Sequence, residues 1–461
     1  MTLLIRNATI VTGDDAGTIF YDAALAIEGR RIAALGPDAE IAARFPEAEQ
    51  VDASGRVVFP GFANIHTHLV MTLARGVFED LSPPHEPPFC GGLSPIPLPD
   101  LSPEEQALMC ELGALEAIRS GTTAVLEDAV RIGNYAPQML ATGLRMVLAE
   151  RCWDRVGGSI GDPTAFVRDA ALGEAGLARI EALHRDWDGA GEGRIRVGVS
   201  AWAPDMCSPE LLRQVRALQQ RLDTICTIHL NQIWGEVAAV QAHHNMLPSE
   251  FLDSIGFLHD RLVAAHCRCM APLEEKILGR NKVHVAFNSA IAARRGLSPR
   301  VCEMEQAGCN IAMGTDNMAE DMVEAMRTGL FMERIRRRDG RSPTPEEALR
   351  WATRNGYKAM GVADGGWLAP GNLADLIMLR TDRPHLAPFL RAVAVFVHQG
   401  QAADIDDVMV DGRWLMRDRR VLTMDEARIV RQAEEVANRA WSRLFAAQPD
   451  IAIPTGFRPL A

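Results

Sequence analysis

Two histidines one residue apart, His66 and His68, are the first feature of this chain that could do chemistry. Side chains alternate across a β-strand, so both imidazoles would face the same way and could hold one cation. Alone the pair is weak, because most His-x-His pairs are surface or core histidines. Three more residues strengthen it. His229 closes the apolar run TICTIHL, His266 closes LVAAH, and Asp316 closes IAMGTD. A carboxylate at the end of a buried strand is costly unless something pairs with it. Four imidazoles and a carboxylate at such ends can hold a divalent cation with an open position, where bound water ionises near pH 7. Asp316, at the edge of that set, could take the water's proton and pass it to a leaving group.

The elements that must position these residues recur along the middle of the chain. Short apolar runs occur at Val57–Ile65, Thr122–Leu126, Leu144–Ala149, Ile195–Ala201, Thr224–Leu230, Leu262–Ala265, Val283–Phe287 and Ile311–Gly314. Helical stretches such as PEEQALMCELGALEAIRSG separate most of them. Eight strands alternating with helices predict an α/β fold, a (β/α)8 TIM barrel, whose chemistry belongs at the C-terminal strand ends. An open doubly wound sheet would place a Gly-rich phosphate loop after the first strand, where this chain has Asn64-Ile65-His66-Thr67-His68. Both chain ends look different: LLIRNATIVT and GRVVFPG near the start, NLADLIMLR and DDVMVDGRWLMRDRRVL near the end, with Asp411-Gly412 as a hairpin signal. They predict a small β-sandwich domain built from residues 1–58 and 363–430. The barrel then spans 59–362, and 431–461 forms a C-terminal helix and tail. Ser82 to Pro103 carries eight prolines, which exclude a helix or central strand, and predicts a lid or subunit contact over the barrel mouth.

The 461 residues hold 60 acidic and 48 basic side chains, a net charge of −12, which argues against nucleic acid as a partner. Arg334, Arg336, Arg337 and Arg338 read as a solvated helix end that suits the dipole. No run reaches the roughly 18 apolar residues of a spanning helix, and the N-terminal strand lacks the pattern of a signal peptide. The nine cysteines show no zinc-ribbon spacing (Cys267 and Cys269 lack a second pair) and read as free thiols in a reducing cytoplasm. The expected partners are a small-molecule substrate and further copies of the chain, as a dimer or tetramer.

The motifs PGFANIHTH (Pro60–His68), TIHLNQ (Thr227–Gln232), AHC (Ala265–Cys267) and GTDN (Gly314–Asn317) occur in this order. With APDMCS at Ala203–Ser208 and the late NLADLIML, the chain resembles the amidohydrolase superfamily. Within it the likeness is to the branch of triazine hydrolases and cytosine- or guanine-type deaminases, which also includes phenylurea and thiocarbamate hydrolases. The resemblance implies that His66, His68, His229 and Asp316 ligate one divalent cation, and that His266 hydrogen-bonds the attacking water or substrate oxygen. Zinc is the first expectation; iron, cobalt and manganese suit the same donors. Binuclear relatives use a carboxylated lysine on the fourth strand. The three lysines here (Lys276, Lys282, Lys358) all lie beyond it, which points to a mononuclear centre.

Two positions depart from the deaminase pattern. Gln232 stands three residues after His229, where deaminases carry a proton-shuttling glutamate, and an amide can hydrogen-bond but not shuttle. Glu236, four residues on, reads as a solvated helix residue. On the seventh strand Asn288 replaces a substrate-polarising histidine, while His284 reads as packing on the outer helices. Gln232, Asn288 and Asn317 are the candidate substrate contacts. Loss of proton-transfer groups with an intact ligand set predicts hydrolysis of a C–N or C–S bond in a neutral amide, urea, carbamate or thiocarbamate. The alternative is an aminohydrolase or chlorohydrolase acting on a triazine, purine or pyrimidine.

Overall fold

The structure is a computed structural model and describes residues 2–78, 96–157 and 167–458. Eight parallel strands form the barrel: Phe62–Thr67, Thr122–Ala129, Arg145–Cys152, Ile195–Ala201, Cys226–Leu230, Leu262–His266, His284–Phe287 and Asn310–Met313. The first and eighth meet through a single bridge, in which Asp316 N–H donates to the His66 carbonyl and His68 N–H to the Asp316 carbonyl, both at 2.9 Å. The seam that closes the barrel therefore runs through three of the predicted ligands.

Alternation of side chains along each strand builds two cores. Ala63, Ile65, Ala124, Leu126, Val147, Ala149, Val263, Ala265, Ala286 and Ala312 fill the interior, mostly with small residues. Their neighbours Val125, Met146, Leu148, Val197, Ile228, Val285 and Phe287 meet the surrounding helices. The second and third strands run on past Leu126 and Ala149, so that Glu127, Asp128, Glu150 and Arg151 are strand residues rather than loop residues.

The chain ends assemble one nine-stranded sheet rather than two separable sheets. Leu376–Arg380 pairs antiparallel with Arg56–Pro60, joining the late strands to the early ones. Ile5, Ile10, Leu25, Val58, Leu376, Met378 and Met409 share its apolar cluster. The run Val57–Ile65 is thus divided between two sheets, with Val57–Pro60 in the end sheet. Gly61 marks the division, because a Cβ there would lie 2.2 Å from the Thr123 side chain. Asp411 (φ 51°) and Gly412 (φ 70°) form the expected hairpin turn. Asp375 of NLADLIML anchors this sheet beneath the barrel, accepting from Arg145 Nε at 2.9 Å and from the Tyr357 hydroxyl at 2.8 Å.

The helix Glu426–Ala447 packs Ile429, Val436, Trp441 and Phe445 with Leu73, Phe78 and Ile96, beside the chain that leaves the first barrel strand. Residues 82–95 of the Pro-rich stretch lie outside the described residues, as does Cys90; Ile96 to Pro103 are described. The other eight cysteines are free and buried. Of the arginine run, Arg336 is paired with Glu333 and Glu303. No helix among the described residues is long and apolar enough to cross a membrane.

Candidate metal centre

His66 and His68 leave the first strand, His229 the fifth, His266 the sixth, and Asp316 the turn after the eighth, and all five are buried. A bulge between Asn64 and Thr67 turns the histidine pair toward the barrel mouth. His266 (φ 80°) and Asp316 (φ 72°) adopt left-handed backbone that non-glycine residues avoid, the kind of strain found where a side chain is aimed for function. Gly314 has no room for a side chain: a Cβ would meet Asn288 Oδ1 at 2.4 Å and the His66 carbonyl at 2.8 Å.

The nitrogens and carboxylate oxygens converge. His68 Nε2 lies 3.3 Å from His229 Nε2 and 3.5 Å from Asp316 Oδ1; His66 Nε2 lies 3.9 Å from the same oxygen. His68 Nδ1 is 2.6 Å from the Asp128 carbonyl and His229 Nδ1 is 2.9 Å from the Trp202 carbonyl. Carbonyls accept only, so both Nδ1 atoms carry the proton and both Nε2 atoms turn lone pairs toward each other. Two lone pairs at that distance repel unless a cation lies between them. His66 makes the same point, since both of its ring nitrogens are buried without a hydrogen bond among the described residues. Burial pushes His66, His229 and His266 well below the usual histidine range; burial and the Arg151 charge lower His68. Neutral imidazole is the metal-binding form. Asp316 is pushed up by burial, a trend opposed by His68 and Arg268 and reversed by a bound cation. The donors thus fit a divalent cation, with the triads His66–His68–His229 and His66–His266–Asp316 sharing His66. The fourth strand, Ile195–Ala201, contributes no carboxylate, so nothing on it bridges a second ion.

A cavity of about 510 Å³ opens above the site. His68, His229, Asp316, Gln232 and Asn317 reach it, and His66 and His266 lie beneath its floor. Trp153 and Trp202, edge to face at 5.1 Å, form one wall; Leu98, Pro99 and Leu101 of the Pro-rich stretch form part of the rim. Of the three candidate substrate contacts, Gln232 and Asn317 line this space, each with a buried Oε1 or Oδ1 that has no hydrogen bond among the described residues. Asn288 does not. The seventh strand ends at Phe287, which places Asn288 behind His266, with its Nδ2 donating to His266 Nδ1 at 3.1 Å. His266 then carries its proton on Nε2 and faces the cluster as a hydrogen-bond donor, not as a ligand.

Two other expectations are corrected. Glu236 is fully buried, not solvated. It accepts from the main-chain N–H groups of Asn231 and Gln232, both at 2.7 Å, because the helix Trp234–His244 begins just after a left-handed Asn231 and exposes those donors. It holds the loop after His229 and is spent there, so it does not stand in for the missing glutamate. His284 does not pack on the outer helices. It shares the interior side with Ala286, at the opposite end of the barrel from the site, bonded to the Asp260 carbonyl (3.0 Å) and the Asn310 amide (2.9 Å).

Sequence reasoning missed four groups. Asp128 and Arg151 flank His68 and His229. Glu127 accepts from Leu69 N–H (3.0 Å) and the Tyr135 hydroxyl (2.9 Å) and is held up at about 8 by burial. Glu320 clasps the barrel seam through Thr67 Oγ1 (2.6 Å), Thr315 Oγ1 (2.8 Å) and Asn64 Nδ2 (3.0 Å). Strand parity from Leu126 to Asp128 and from Ala149 to Arg151 was the available signal.

Comparison with known proteins agrees with this architecture. Residues 57–415 match the amidohydrolase family, and residues 23–48 match a bacterial imidazolonepropionase-like composite domain. A 5-methylthioadenosine/S-adenosylhomocysteine deaminase of Pelotomaculum thermopropionicum is 32% identical over 450 residues, covering 96% of this chain and 99% of the relative. An adenosine deaminase from Xanthomonas campestris with bound zinc superposes with a TM-score of 0.83 at 25% identity, over 95% of this chain and 98% of that one. An atrazine chlorohydrolase from Arthrobacter aurescens, complexed with zinc, shares the fold with a TM-score of 0.82 at 20% identity, over 94% and 100% of the two chains. With a barrel that closes through His66, His68 and Asp316 and a family match over most of its length, this chain belongs to the amidohydrolase family.

Proposed function

We propose that the chain is an aminohydrolase that removes an exocyclic amino group from a nitrogen heterocycle of the adenine type. The observation that carries this is the imidazole–carboxylate cluster opening into an aromatic-walled cavity, in a chain alike along nearly its whole length to a named purine-nucleoside deaminase. Amide, urea or carbamate hydrolysis, the first expectation from sequence, loses its preference on that ground. His66, His68, His229 and Asp316 would hold a divalent cation, which would lower the pKa of water so that hydroxide is available near neutral pH. Asp316 takes the water's proton on its free carboxylate oxygen and hands it to the departing amine. His266, set by Asn288, donates Nε2–H to oxygen at the reacting carbon. The ring lies against Trp153 and Trp202, and Gln232 hydrogen-bonds the adjacent ring nitrogen.

Gln232 also favours a second reading: displacement of a better leaving group from a substrate that needs no ring protonation. Ammonia release separates the two. Metal-loaded enzyme should release ammonia from an adenine-type nucleoside or an aminated pyrimidine or triazine. Turnover confined to ureas, carbamates or haloheterocycles, without ammonia from any aminated ring, overturns the aminohydrolase assignment.

A further inference from the structure

We infer that Asp128, at the end of the second barrel strand, is a positioning residue that makes the metal site tolerate a partly buried arginine. The cluster concerned is Asp128, Arg151 and Ser200, none of which faces the cation directly. The Asp128 carbonyl takes the His68 Nδ1 proton, while its carboxylate reaches toward the other imidazole, with Oδ2 3.6 Å from His229 Nδ1. Oδ1 accepts from Ser200 Oγ at 2.7 Å and from Arg151 Nε at 3.1 Å. One residue therefore touches two of the three imidazoles of a triad that contributes lone pairs at Nε2. Such outer partners fix ring orientation and raise imidazole basicity.

Arg151 supplies the reason a carboxylate is needed. Its Nη2 lies 3.2 Å from His68 Nδ1 and 3.0 Å from the Asp128 carbonyl, and its guanidinium lies 5.8 Å from the Trp202 ring. A positive charge there opposes a divalent cation on the far side of the same rings. Asp128 is buried, and among the described residues its Oδ2 has no hydrogen bond of its own, so its charge acts on His229 and Arg151. Arg151 in turn forms part of the cavity wall beside Trp153 and Trp202. The pair lets the enzyme keep a cation on its substrate wall without losing the one in its floor.

The test is metal affinity, so it depends on the metal centre and not on which substrate is turned over. Zinc is titrated into metal-free protein against a chromophoric chelator, and the visible spectrum of the cobalt(II)-loaded protein is recorded. Asp128→Asn keeps the carbonyl and removes only the charge; it should weaken zinc binding by about 10- to 100-fold and shift the cobalt bands. Adding Arg151→Met to it should restore most of that affinity, and Arg151→Met alone should bind zinc more tightly than the parent. A structural prop would behave otherwise, since removing both partners would be at least as damaging as removing one. Parent-like affinity in Asp128→Asn, or a double variant no better than the single one, overturns the proposal. Should Asp128→Asn fail to fold, Arg151→Met decides alone: unchanged or weaker zinc binding overturns it.

Discussion

Replacing Gln232 by glutamate restores the one proton-transfer group that this cavity lacks, and its effect can be sized. The new side chain is isosteric, and its main chain is already fixed, with N–H held by Glu236 at 2.7 Å and the carbonyl by Arg268 Nε at 3.1 Å. The buried Arg268 guanidinium nearby offsets the added charge. A positioned acid–base group contributes about 10²- to 10⁴-fold, or about 3–5 kcal/mol at 1.36 kcal/mol per decade. The neutral hydrogen bond it replaces is worth about 1 kcal/mol. The difference predicts a gain of about 10- to 1,000-fold in kcat/KM for ammonia release from an aminated heterocycle. The assay compares Gln232→Glu with the parent at equal metal content, using a urea or carbamate as the control substrate, where no gain is expected. An unchanged or lower kcat/KM on the aminated ring, with metal retained, would refute the placement of Gln232 beside the ring nitrogen.

Other consequences follow from the same geometry. Asp316→Asn should lower turnover at least about a hundredfold, whereas His266→Ala should cost activity with metal largely retained; elemental analysis of both variants separates ligand loss from proton-transfer loss. Glu127 is held at about 8 in the fold against 4.5 as an ordinary glutamate. Between those values the folded chain keeps a proton that the unfolded chain has released, so stability falls as pH rises through that window, by at most roughly 5 kcal/mol. Denaturant melts of the parent and Glu127→Gln at pH 5.5 and 8 should show that slope only in the parent. Leu98→Ala with Leu101→Ala should raise KM without changing metal content, because both residues line the rim and neither touches the ligands; equal loss of metal would show that this stretch belongs to the core.

Much of this was legible in the residues because period-two alternation and strand-end chemistry are local signals. The eight barrel strands and the five rim residues His66, His68, His229, His266 and Asp316 needed nothing else. Long-range packing hid the remainder. Val57–Ile65 reads as one strand, and only the approach of Thr123 to Gly61 shows where it breaks. Asp128 and Arg151 look like polar loop residues until neighbouring strands extend alongside, burying Asp128 and most of Arg151. Glu236 has the sequence context of a solvated first-turn residue; the loop that folds back onto it is a tertiary event. The choice between urea-type hydrolysis and deamination turned on Gln232 and Asn288, and two amides do not name a substrate.

Counting metal per chain decides whether a single divalent cation sits on His66, His68, His229 and Asp316. Elemental analysis of metal-loaded, gel-filtered protein should give about one equivalent, lost in His66→Ala and in His229→Ala. Two equivalents at full occupancy, or an unchanged content in His229→Ala, would contradict the account.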